Sequence, residues 1–124
     1  MTLIDSLKSS SSKHQDPFKH WIVDKPFSDE TINEIYKIPI PEGEVIFDGT
    51  RAGDKKGKNL LSNLRVFIDK ENYSEFPNLK NIISELQSKE CQKIIGEMLN
   101  VDLTNSYVRL EVIADKDGFW LEPH

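Results

Sequence analysis

The chain has 124 residues, of which 37% are hydrophobic and 30% are charged, so it fits one domain with a modest core and a well-solvated surface. Its 16 basic and 21 acidic side chains leave a net charge of −5, which argues against nucleic acid as a partner. No apolar run approaches the ~18 residues that a membrane span needs. Because the chain has one cysteine and its N-terminus does not look like a signal peptide, the sequence favours a reducing, cytoplasmic compartment.

The first fifteen residues have a composition that buries little apolar surface. The serine run Ser9–Ser12 lies between two lysines, and ordering such a segment costs conformational entropy with little return. We therefore expect a flexible tail over residues 1–15 and a folded domain over residues 16–124. Ordered structure should begin near Phe18, with a short strand at Trp21–Val23 that Pro26 ends.

A helix should follow this strand. Ser28 is placed to cap it, with Phe27 packing against Ile32, and apolar residues recur at helical spacing up to Tyr36. Pro39 should stop the helix soon afterwards.

Residues 43–63 read as a short strand, Val45–Phe47, followed by the glycine- and lysine-rich loop Asp48–Lys58. The loop does not fit a phosphate-binding loop, because Gly53 and Gly57 enclose three residues rather than four. A solvated loop or a substrate-side lid fits better. The apolar run Leu64–Ile68 is then a candidate buried strand.

Two consecutive helices are predicted over residues 77–100. The first begins with Pro77, and the second begins behind Ser88, where the apolar pattern slips out of phase. Cys91 lies in the second apolar stripe and is predicted to be a buried packing residue rather than a reactive thiol. The first stripe contains Leu79, Ile82, Ile83 and Leu86, and the second contains Cys91, Ile94, Ile95, Met98 and Leu99.

The end of the chain predicts a hairpin. Residues 106–113 alternate, so that Tyr107 and Arg109 share one face of a strand and Val108 and Leu110 share the other. Residues 115–118 have turn composition, and residues 119–124 alternate again.

The ending Gly-Phe-Trp-Leu-Glu-Pro-His, residues 118–124, resembles the strand that carries the His-x-Asp iron motif of iron(II)/2-oxoglutarate-dependent oxygenases of the prolyl-hydroxylase type. The preceding order is similar too: a Leu-Arg-x-Phe strand, two helices, and then a Tyr-x-Arg strand. The resemblance extends from about Trp21 to His124. It implies an α+β fold in which an N-terminal helical support layer packs on the first strands of a double-stranded β-helix, or jelly-roll.

The resemblance also implies a function. The family's enzymes are dioxygenases that use iron(II), 2-oxoglutarate and oxygen to hydroxylate a small-molecule or peptidyl substrate, releasing succinate, with ascorbate as a candidate reductant. His124 corresponds to the first iron ligand, and Tyr107 and Arg109 are candidates to contact 2-oxoglutarate. The family's aspartate would be the second residue after His124, so the 124 residues are expected to be an incomplete and inactive part of the domain, with exposed sheet edges through which it could oligomerise.

The same residues also have interpretations that do not involve an oxygenase. Arg109 could pair with Glu111 or Glu122 across the hairpin. Trp120 fits a packing role better than a substrate platform. Two further functions are a small α+β interaction module that binds proteins through a sheet edge, and a metal-binding protein that uses His124 with Glu122. Recruiting His14 or His20 to such a metal site has less support.

Overall fold

The computed structural model describes residues 2–40 and 65–114. Four helices and four strands lie in these ranges, and the strands form two separate antiparallel pairs. The elements, in chain order, are α1 (Leu3–Ser9), β1 (Ser11–His14), β2 (His20–Val23), α2 (Asp29–Tyr36), β3 (Arg65–Ile68), α3 (Pro77–Leu86), α4 (Lys89–Leu99) and β4 (Leu110–Ile113). The mixed helix and sheet confirm the α+β class. Among the described helices, none has the length and apolar character needed to cross a membrane.

Helix α1 and strand β1 lie within residues 1–15, the segment expected to be a flexible tail. The Thr2 side chain caps α1 in a reciprocal box with Asp5. The serine side chains form hydrogen bonds with the backbone of this segment. Ser9, Ser10 and Ser11 each donate to the backbone carbonyl four residues earlier. Strand β1 then pairs with β2, the strand expected at Trp21–Val23.

Helix α1 is fixed to the rest of the molecule by its polar groups as well as by the buried Leu3. The Ile4 amide donates to the Glu85 carboxylate of α3 at 2.8 Å, and the Lys8 ammonium lies 2.6 Å from Glu90 of α4. The exposed Lys8–Glu90 pair contributes little to stability, but the Glu85 contact satisfies one of the free amides of the first turn.

The predicted cap of α2 is confirmed, because the Ser28 hydroxyl accepts a hydrogen bond from the Thr31 amide. The buried face differs from the predicted stripe. Ile32 is 38% exposed and Tyr36 is 84% exposed, whereas Thr31 and, beyond the helix end, Ile38 are buried. Relative to the predicted orientation, the helix is therefore rotated about its axis so that Thr31, Glu34 and Ile35 point towards the neighbouring elements.

The core lies between β3–β4 and two helices. In the antiparallel register, Val66 lies opposite Val112 and Ile68 opposite Leu110, so these four side chains share one face of the pair. That face packs against residues of α2, α3 and the segment after α2: Ile35, Ile38, Ile40, Leu79 and Ile83. A helical layer thus covers one side of this two-stranded sheet.

Helices α3 and α4 follow the predicted bounds closely. Ser88 caps α4 by accepting from the Cys91 amide, and Asn100 ends the helix in the left-handed conformation, with φ 56° and ψ 47°. Helix α3 has Pro77 at its start but receives no cap from its own N-cap residue, Phe76. The Glu34 carboxylate of α2 supplies it instead, accepting from the backbone amides of Asn78 and Leu79 at 3.1 and 2.7 Å.

The last described strand is shorter than the predicted 106–113. Gln87 explains the difference, because its side chain bonds to the Ser106 carbonyl and to the Val108 amide, and Gln92 also donates to Ser106. These backbone groups bond to side chains rather than to a neighbouring strand, and β4 begins at Leu110. The predicted strand at 45–47, the loop at 48–58, the turn at 115–118 and the final strand at 119–124 lie outside the described residues.

Candidate functional site

The face of β3–β4 that points away from the helices carries the charged residues of this sheet. Since side chains alternate along a strand, Arg65 and Phe67 of β3 share this face with Glu111 and Ile113 of β4. We call this the charged face.

An ion pair links the two strands across the charged face. The Arg65 Nη1 atom lies 3.2 Å from Oε2 of Glu111, and the two side chains are only 6% and 19% exposed. Within residues 2–40 and 65–114, the buried Nε–H of Arg65 has no hydrogen-bond partner.

Arg109, a predicted 2-oxoglutarate contact, lies just before β4. Its guanidinium is 5.6 Å from the centre of the Phe67 ring, within the range of a cation–π contact, and Phe67 is on the charged face. Glu111, proposed above as a pairing partner for Arg109, is bonded to Arg65. The structure therefore brings a second guanidinium to the same side of the sheet as Arg65.

Tyr107 lies in the segment that Gln87 holds, outside the strand, and it is 84% exposed. The predicted metal ligand His124 lies outside the described residues, as do Trp120 and Glu122. Within residues 2–40 and 65–114, no group of three or more His, Cys, Asp and Glu side chains is placed to hold a metal ion.

Arg65 is the residue that sequence reasoning missed as a candidate. A charged side chain in the otherwise apolar run Leu64–Ile68 was the available signal, because a buried guanidinium needs a partner. Cys91 behaves as predicted: its side chain is fully buried, and burial raises the pKa of its thiol. A buried thiol with a raised pKa is a poor nucleophile, so Cys91 is a packing residue.

A recess with a volume of about 870 Å³ lies elsewhere, between α4 and the segment after it. The charged residues that line it are two of each sign, Lys89 and Lys93 with Glu97 and Asp102, so the recess has no net charge. None of the candidate residues lines it, so the recess adds nothing to the site on the charged face.

Comparison with known proteins adds no family to these observations: no family model, curated protein or solved structure matches the chain.

Proposed function

We propose that these residues are the N-terminal part of an iron(II)/2-oxoglutarate-dependent dioxygenase, a hydroxylase, in which β3 and β4 are the first strands of a double-stranded β-helix. The observation that carries the proposal is the two-sided character of the β3–β4 pair. Helices cover one face, and two arginines and a glutamate lie on or beside the other.

This arrangement agrees with the order of motifs that suggested the family. The Leu-Arg-x-Phe strand, which contains β3, pairs with the end of the Tyr-x-Arg strand, which contains β4, although two helices separate them in sequence. In a jelly-roll of this kind, a support layer of helices covers the outer side of the sheet and the opposite side faces the barrel interior. The charged face is then the interior one.

Basic residues on an interior face suit the expected cofactor. 2-Oxoglutarate carries two carboxylates, and the Arg109 guanidinium could bind one of them, with Tyr107 as a further hydrogen-bond donor. The ion pair between Arg65 and Glu111 would hold β3 and β4 in a fixed relative position beneath the bound cofactor. Bound iron(II) together with 2-oxoglutarate would activate molecular oxygen, which is the oxidant, and His124 would be the first metal ligand. A small molecule or a peptidyl side chain would be the substrate, and ascorbate a candidate reductant.

The gene itself offers the simplest test. If the proposal holds, the second codon after His124 encodes aspartate, because residues two apart on a strand point to the same side and can bind one ion. An apolar, alternating segment should follow that codon.

A stop codon directly after His124, together with a stable and soluble monomer of 124 residues, would contradict the proposal. That result would favour the second function considered, a small interaction module that uses a free sheet edge and carries no catalysis.

A further inference from the structure

Two of the three histidines in the chain face each other on the N-terminal hairpin, far in sequence from the proposed iron ligand. His14 of β1 lies directly opposite His20 of β2 in the antiparallel register. Their rings are stacked, with centres 5.1 Å apart and planes inclined by 15°. Since side chains at opposite positions share a face, both imidazoles project from the same side of the hairpin.

The hydrogen bonds of these rings leave one nitrogen of each available. The Nδ1 atom of His20 lies 2.8 Å from the Phe18 carbonyl oxygen, which can only accept, so Nδ1 carries the proton and Nε2 keeps its lone pair. The Nε2 atom of His14 lies 3.0 Å from the Ser12 hydroxyl, which can accept its proton and leave Nδ1 free. Metal-binding histidines usually show this pattern, in which the second ring nitrogen donates to a nearby oxygen.

The surroundings admit a cation. The ammonium groups of Lys13 and Lys19 lie over the Trp21 ring, 5.8 and 5.2 Å from its centre. Trp21 neighbours His20 in the strand and therefore points to the opposite face, so these positive charges are directed away from the imidazoles. His14 is exposed and His20 is half-buried, which leaves the pair open to solvent.

We infer that His14 and His20 form a binding site for a divalent transition-metal ion of the zinc, copper and nickel type. His20 is the fixed ligand through Nε2, and the exposed His14 ring leaves its stacked position beside His20 and its contact with Ser12 to bring one ring nitrogen to the same ion. Nitrogen–metal distances of about 2.0–2.1 Å then join the two rings, and water completes the coordination. The bound ion links β1 to β2, so it should stabilise the hairpin.

This site is independent of the oxygenase proposal, and its test can be kept separate. Zinc should be titrated into the 124-residue chain carrying His124→Ala, which removes the remaining histidine, while the imidazole proton signals are followed by NMR. We expect one saturable site, with the His14 and His20 signals shifting together.

Single variants make the test specific. His14→Asn and His20→Asn should each weaken zinc binding at least tenfold, because holding two donors together raises affinity on the order of a hundredfold. Lys13→Gln, on the opposite face, should leave binding unchanged. Circular dichroism should show that each variant keeps the wild-type fold. The NMR titration tests the site even if a variant does not fold, because it leaves both histidines of the hairpin in place.

Three results would overturn the inference. Zinc could leave both imidazole signals unmoved, it could shift one signal alone, or it could bind His20→Asn as tightly as the parent chain.

Discussion

Single residues fix the chain reversal that follows α4. Asn100 adopts the left-handed conformation, and the Val101 amide returns to donate to the Gly96 carbonyl at 2.9 Å. A side chain at position 96 has no room there, because a Cβ atom would lie 2.7 Å from the Val101 carbonyl oxygen. Sequence reasoning placed the helix end correctly, but it could not see that Gly96 is required by a backbone contact formed five residues later.

Gly96→Ala should therefore destabilise the protein, although alanine is the better helix former by about 1 kcal/mol. Relieving the overlap with a backbone atom costs typically 1–3 kcal/mol, so we expect a net loss of about 1 kcal/mol, read as a lower midpoint of urea unfolding. Ser84→Ala, at an exposed position of α3, is the control and should raise stability slightly. Equal or greater stability of Gly96→Ala would refute the close approach.

At the scale of elements, the helices cap one another. The Glu34 carboxylate of α2 accepts from two backbone amides and from the Asn78 side chain at the start of α3, while Glu85 of α3 accepts from the first turn of α1. A negative charge is favourable there, because the amides at a helix N-terminus carry partial positive charge. The bounds of α3 and α4 were predictable from apolar spacing, but these caps were not, since they join residues more than forty positions apart.

Glu34→Ala should cost about 2–3 kcal/mol of unfolding free energy, since it removes charge-assisted hydrogen bonds and leaves the amides of α3 without their partner. Denaturant unfolding measures the loss. Glu97→Ala, which removes an exposed carboxylate from α4, is the matched control and should change stability by less than about 0.5 kcal/mol. If the two variants lost equal stability, α3 would not depend on the cap from α2.

For the whole molecule, the sequence predicted the α+β class, strand β3 and the two long helices, because each has a local pattern that its burial supports. It did not predict the N-terminal hairpin, because β1 has the sequence Ser-Ser-Lys-His and therefore lacks the apolar alternation that predicts a strand. It also missed Arg65, whose importance follows from its ion pair with Glu111 on the neighbouring strand, 46 positions away. The charged face is thus a product of tertiary pairing, and its proposed role in binding 2-oxoglutarate depends on that pairing.

The central claim is that His124 and the charged face belong to an oxygenase, and turnover of 2-oxoglutarate tests it most directly. A longer gene product that contains the remaining metal ligands should convert 2-oxoglutarate to succinate in the presence of iron(II) and oxygen. His124→Ala should abolish succinate formation, while Glu97→Ala, on the exposed side of α4, should retain it. Unchanged succinate formation by His124→Ala, or none by the longer protein with iron(II) bound, would contradict the account.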